Sequence, residues 1–170
     1  MDTPVTKTGP RPRGLWFDQF APGQVYESPG RTLTEADIVN FAGVSGDYTS
    51  LHTDQEFARR TPFRQRIAHG VLIQAIATGL AARTGIFEDT IAALPWMETH
   101  WRAPAVPGDT LRLRLEVQRL GEPSRRSGDV FFDARMSNQK DQVVSEGAWK
   151  CLMLRERPER AQPAERSPSS

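Results

Sequence analysis

Gly70-Val71-Leu72-Ile73-Gln74-Ala75-Ile76-Ala77-Thr78-Gly79-Leu80-Ala81-Ala82 is apolar on nearly every face of a helix, and Arg83-Thr84-Gly85 then supplies a basic last turn and a glycine stop. Such a helix has to be wrapped by other structure. The wrapping material follows in the sequence. Leu111, Leu113, Leu115 and Val117 alternate with Arg112, Arg114, Glu116 and Gln118, the period of a strand with one buried face. Val130, Phe132, Ala134 and Met136 repeat the alternation, and residues 143–154 give a third long strand. Turn-rich Gly121-Glu122-Pro123-Ser124 and Ser137-Asn138-Gln139-Lys140-Asp141 separate the three, which makes an antiparallel meander. Residues 96–103 add a strand that ends at the Pro104 to Gly108 turn, and a short edge strand is expected within 24–33. One buried helix with an antiparallel sheet is an α+β layer architecture.

Upstream of the helix the signals are short. Thr34-Glu35-Ala36-Asp37 reads as an N-cap with an acidic residue at the third helical position, followed by Ile38, Phe41 and Ala42 at helical spacing, so a helix is expected to end near Gly43. A second capping box, Thr53-Asp54-Gln55-Glu56, opens another short helix, which Thr61-Pro62 stops. His52 is then placed immediately before that helix.

The bulk composition bounds the function. The chain has 170 residues, 38% hydrophobic and 25% charged, which suits one globular domain. Residues 1–13 and 155–170 are rich in Pro, Arg, Glu and Ser and read as disordered tails, leaving the domain at 14–154. Lys plus Arg number 22 and Asp plus Glu 21, for a net charge of +1, so the basic excess of a dedicated nucleic-acid binder is missing. Cys151 is the only cysteine, which excludes an internal disulfide and a Cys-rich zinc site. No stretch has the apolar run of a signal peptide or a membrane span, and the expected location is cytoplasmic.

Chemistry concentrates in Ser45-Gly46-Asp47-Tyr48-Thr49-Ser50-Leu51-His52. An acid and an imidazole five residues apart, in a turn with Gly46 before the acid and Thr49-Ser50 inside it, can aim at one small volume. That pair is the equipment for adding water to a polarised double bond, where one proton leaves water and another reaches the adjacent carbon. From spacing alone, Asp47 serves equally as a C-terminal cap and His52 as the flank of the next helix. A metal at His52-Thr53-Asp54 lacks an evident third ligand in a chain with three histidines. Gly70 opens the apolar helix with free amides at the positive end of its dipole, a place for a carbonyl oxygen on which negative charge builds. It equally permits close packing of the helix start.

Phe41-Ala42-Gly43-Val44-Ser45-Gly46-Asp47, His52, Phe57-Ala58 and Ile67-Ala68-His69-Gly70 together resemble the hydratase motif of the MaoC-like family of dehydratases and (R)-specific enoyl-CoA hydratases. Residues 102–111, with Pro107-Gly108-Asp109-Thr110 turning into the next strand, are similar to the family as well, and the resemblance covers about residues 20–154. It implies a hot-dog fold, a curved antiparallel sheet wrapped around one long helix. It also assigns Asp47 and His52 to the catalytic pair and the Gly70 amide to the thioester oxyanion site. Thr78 falls where related hydratases carry a small hydroxyl residue, although a bond back to a carbonyl one turn earlier accounts for it as well. His69 is read as structural, fixing the start of the helix through ring hydrogen bonds. Thr49 and Ser50 depart from the Asn and Pro common in the family, with consequences for the rigidity of the loop and for substrate preference.

The implied reaction is syn addition of water to a trans-2-enoyl thioester, or the reverse dehydration. It uses no metal and no redox cofactor, and coenzyme A or an acyl carrier enters as part of the substrate. The expected partners are an acyl thioester and a second copy of the chain, in a homodimer or higher homo-oligomer with active sites near the interface. Arg60, Arg64, Arg66, Arg102 and Lys150 are candidates for the coenzyme A phosphates, and Ile73, Ile76, Leu80, Trp96 and Trp101 for the acyl groove. The alternatives are a hot-dog acyl-CoA thioesterase and a non-catalytic acyl-thioester-binding subunit.

Overall fold

The computed structural model describes residues 14–156, so both expected tails lie outside the described residues, apart from Arg155 and Glu156. The meander is present as β5 (Thr110–Leu120), β6 (Ser127–Ser137) and β7 (Val143–Leu154). β1 (Val25–Glu27) and β2 (Arg31–Thr32) pair with β5, while β3 (Ile91–Met97) and β4 (His100–Trp101) pair with β7, giving a seven-stranded antiparallel sheet in the order β1-β5-β6-β7-β3. Leu111, Leu113, Leu115 and Val117 of β5 and Val130, Phe132, Ala134 and Met136 of β6 are buried in the core, as the alternation requires.

Helix α4 (Gly70–Ala82) lies against this sheet and buries Leu72, Ile73, Ile76, Ala77, Leu80 and Ala81. The wrapping is one-sided in the single chain, because Val71 is 62% exposed and Ala75 and Gly79 are exposed too. A 3-10 turn at Phe17–Gln19, which periodicity does not reveal, adds Phe17 to the core and packs its ring where Gly128 leaves room. A curved antiparallel sheet around a central helix is the hot-dog arrangement.

Three expectations change. α1 (Glu35–Ser45) has the Thr34 and Asp37 capping box, but it ends past Gly43, because the left-handed position that closes it falls on Gly46 at φ 74°. The cap before α3 (Gln55–Arg59) is Asp54, whose carboxylate accepts from the Phe57 amide, and not Thr53. Thr53 and His52 belong to a separate single turn, α2 (Ser50–Thr53). The strand placed at 96–103 is in fact two, β3 beginning at Ile91 and β4 resuming at His100. Pro95 sits within β3, where a missing N–H is tolerated because β3 is an edge strand.

Candidate active site

The connection from α1 to α2 carries the acid. Gly46 turns the chain, and four hydrogen bonds to three residues then grip Asp47. Its amide donates to Ser45 Oγ at 3.1 Å, and its carbonyl accepts from His69 Nε2 at 3.0 Å. Its Oδ1 accepts from both the Thr49 hydroxyl, at 2.6 Å, and the Thr49 amide, at 3.1 Å. Oδ2 takes no hydrogen bond among the described residues. The Thr49 hydroxyl, then the Thr49 amide, hold the Asp47 carboxyl below the usual carboxylate range, with the nearby His69 and His52 rings acting in the same direction. The side chain is exposed in the single chain.

His52 is oriented from the other side. Its Nδ1 lies 2.8 Å from the Ile67 carbonyl, which can only accept, so Nδ1 carries hydrogen and the neutral ring leaves Nε2 as an acceptor. The His69 ring lies against it, with centroids 3.9 Å apart and planes at 30°, and the Phe41 ring centroid lies 5.0 Å from that of His69. His69 is therefore the piece that joins the acid loop, the His52 ring and the start of α4. It is 2% exposed, and its Nδ1 is buried without a partner among the described residues.

Sequence spacing offered no third ligand near His52, whereas the fold supplies one. Asp47, His52 and His69 each offer a ligand atom within 4.8 Å of one another, a residue set that zinc accepts. His52 Nδ1 and His69 Nε2 are already committed to backbone carbonyls, leaving one nitrogen on each ring.

α4 starts next to this cluster. No side chain caps it, so its first amides have no hydrogen-bond partner among the described residues. Gly70 and His52 line one pocket of about 330 Å³ together with Phe63, Ile67, Ile73 and Trp101. The close packing considered for Gly70 is seen here, because a β-carbon at this position would lie 2.8 Å from the Trp101 indole. The close approach of Trp101 crosses 31 residues of sequence and leaves no local signal to find it by.

The supporting residues divide. Thr49 is at the site. Ser50 opens α2 just beyond it. Thr78 is not brought to the pocket: it sits two turns along α4, with its hydroxyl donating to the Ala75 carbonyl at 2.8 Å. Of the expected cations, only Arg102 lines the pocket, with its Nε donating to Glu146 at 2.8 Å. Arg66 pairs with Glu35 and Lys150 with Asp129, while Arg60 and Arg64 are exposed. Ile76 and Leu80 are core residues and Trp96 lies on the exposed β3 edge, so Ile73 and Trp101 alone of the expected groove residues face the cavity. Cys151 is buried, which pushes its thiol up to about 12 and keeps it unreactive.

Residues 18–134 match the MaoC like domain. The chain belongs to the MaoC-like dehydratase family. An (R)-specific enoyl-CoA hydratase from Rhodospirillum rubrum is 40% identical over 110 residues, which are 62% of this chain and 71% of that one. Protein MaoC from Klebsiella aerogenes is 33% identical over 138 residues, 81% of this chain but 41% of that protein, so the chain spans less than half of this relative. Among solved structures, the unliganded R-hydratase from Pseudomonas aeruginosa superposes with a TM-score of 0.71 at 29% identity, over 92% of this chain and 96% of that one. No helix among the described residues of this MaoC-like chain is long and apolar enough to cross a membrane.

Proposed function

We propose that the protein adds water to trans-2-enoyl thioesters to give (R)-3-hydroxyacyl thioesters, or catalyses the reverse dehydration. The observation that carries this is the convergence of Asp47 and His52, whose second oxygen and Nε2 take no hydrogen bond among the described residues, beside the uncapped start of α4. The relatives named as (R)-specific hydratases favour the same reaction.

In the proposed mechanism Asp47 and His52 hold one water between them. Its hydroxide adds to the β-carbon while a proton is delivered to the α-carbon on the same face, so one water is consumed and the double bond is lost. Charge that builds on the thioester oxygen is met by the Gly70 amide and the positive end of α4. The step is redox-neutral and the thioester itself activates the β-carbon, so neither a metal nor a redox cofactor is part of the scheme. Coenzyme A or an acyl carrier arrives as part of the substrate.

A second copy of the chain belongs to this proposal. β3 is an edge with one free side, Ile91, Trp96 and Met97 are exposed along it, and Val71 is exposed on α4. An apolar edge of this kind is covered when two copies pair. Sedimentation should return twice the mass of one chain, and a monomer at micromolar concentration contradicts the pairing.

The catalytic assignment is tested by Asp47→Asn and His52→Ala. Each should lower turnover of a trans-2-enoyl-CoA by about two to four powers of ten, the range for one proton-transfer group. Near-normal turnover in both removes the pair from the reaction.

A further inference from the structure

His69 is the histidine of the site that the water-addition scheme leaves without chemistry. Its Nε2 lies 3.0 Å from the Asp47 carbonyl, which can only accept, so the proton sits on Nε2 and Nδ1 carries the lone pair. That Nδ1 is buried with no hydrogen-bond partner among the described residues, in a residue that is 2% exposed. A buried acceptor with nothing to accept costs free energy, and an ion is one of the few things that offset it.

Two neighbours complete a donor set. His52 repeats the arrangement, with Nδ1 held by the Ile67 carbonyl at 2.8 Å and the lone pair on Nε2. Asp47 adds a carboxylate whose Oδ1 is taken by Thr49 and whose Oδ2 accepts from nothing among the described residues. The three residues bring one ligand atom each within 4.8 Å of one another. A metal-bound histidine ordinarily donates its second ring N–H to a carbonyl or carboxylate, which fixes the ring and its tautomer. Both rings are held that way here, by carbonyls of the chain itself. Zinc takes nitrogen and carboxylate oxygen at about 2.0–2.2 Å, so donors around one ion stand no more than about 4.4 Å apart. Rotation of the exposed Asp47 side chain and the half-buried His52 ring closes the difference.

We propose that Asp47, His52 and His69 form an inhibitory site for a divalent ion of the zinc class, which binds in place of the catalytic water and stops the reaction. The inhibition rests on the hydratase reading of the site, whereas the binding does not. The ion takes the Asp47 oxygen and the His52 Nε2 that otherwise hold the water, so metal and turnover exclude each other. Magnesium, which prefers oxygen ligands, does not compete for such a donor set.

The test titrates cobalt(II) into the full chain, because its visible absorption reports coordination without turnover, and measures hydration of a trans-2-enoyl-CoA with added zinc. Wild type should give a saturable band at one equivalent per chain, which zinc displaces. Zinc should abolish hydration and EDTA restore it, while magnesium leaves both readouts unchanged. Asp47→Asn, His52→Ala and His69→Gln should each weaken cobalt binding by about 10–100-fold or more, the range for losing even an outer partner of a metal site. The first two alter groups outside the core, so they decide the matter if the buried His69 variant fails to fold. His100→Ala should behave as wild type, since His100 is paired with Glu98 on the exposed β3–β4 edge. No band in wild type, a band unchanged in Asp47→Asn and His52→Ala, or a band lost in His100→Ala overturns the proposal. So does cobalt binding with hydration that zinc leaves untouched. If wild type hydrates nothing, yet shows the band and loses it in the site variants, the hydratase reading fails and the metal site stands. Hydration without a band and without zinc inhibition has the opposite meaning.

Discussion

Leu113 in β5 is 1% exposed and Phe132 in β6 is fully buried, whereas Asp47, between α1 and α2, has an exposed side chain that accepts hydrogen bonds from Thr49, on a backbone whose amide donates to Ser45 and whose carbonyl accepts from His69. The meander is positioned by the burial of alternate side chains. The connection that carries the acid is positioned by polar contacts with little apolar burial behind them. Fold and chemistry therefore depend on different kinds of interaction in one domain, and substitutions should separate them.

The largest effects should sit on opposite sides of that division. Asp47→Asn and His52→Ala are expected to remove activity with little change in the melting temperature, read by enoyl absorbance and a thermal melt. Phe132→Ala should do the reverse: it deletes a ring packed edge-on against Phe20 and Phe87 at 5.8 Å from each, and should cost about 3–5 kcal/mol of stability in a denaturant titration. If Phe132→Ala melts like wild type, or the pair substitutions unfold the chain, the two regions are not separable in this way.

Gly70→Ala probes the point where they touch. The new methyl collides with Trp101, an overpacking expected to cost about 1–3 kcal/mol, and it displaces the amide assigned to the thioester oxygen. Stability and activity should both fall, and loss of only one would show that the amide and the indole contact are independent.

The smallest effect is on pH. Thr49 hydrogen bonds hold the Asp47 carboxyl low, so Asp47 stays ionised further into acid than an ordinary carboxylate. Because the folded-state value is depressed, the associated stability is present above the unfolded value and is lost as pH falls through the folded one. Thr49→Val removes the hydroxyl contact and should move the acid limb of the activity profile to higher pH, while Thr49→Ser should leave it in place. An unmoved limb in Thr49→Val means that Asp47 is not the group titrating there.

What the sequence made legible follows the same division. β5, β6 and β7 were readable because burial imposes a period of two on neighbouring residues, and α4 because its apolar run exceeds what a strand needs. The capping box of α1 is equally local. Asp47 and His52 could be named from their motif, but the parts that orient them could not. Ile67 reaches His52 across 15 residues, His69 reaches Asp47 across 22, and Trp101 reaches Gly70 across 31. Contacts of that range depend on the assembled fold and leave no periodic trace. The boundary errors have local causes: two cap-competent residues stand side by side at Thr53 and Asp54, and Pro95 hides an edge strand that tolerates it.

The most direct test of the account is to add the wild-type protein to trans-2-butenoyl-CoA, follow the conjugated enoyl absorbance, and identify the product on a chiral column. Loss of absorbance with formation of (R)-3-hydroxybutanoyl-CoA and no free thiol is the predicted result. Release of free coenzyme A with the double bond intact would contradict it and make the site a thioesterase.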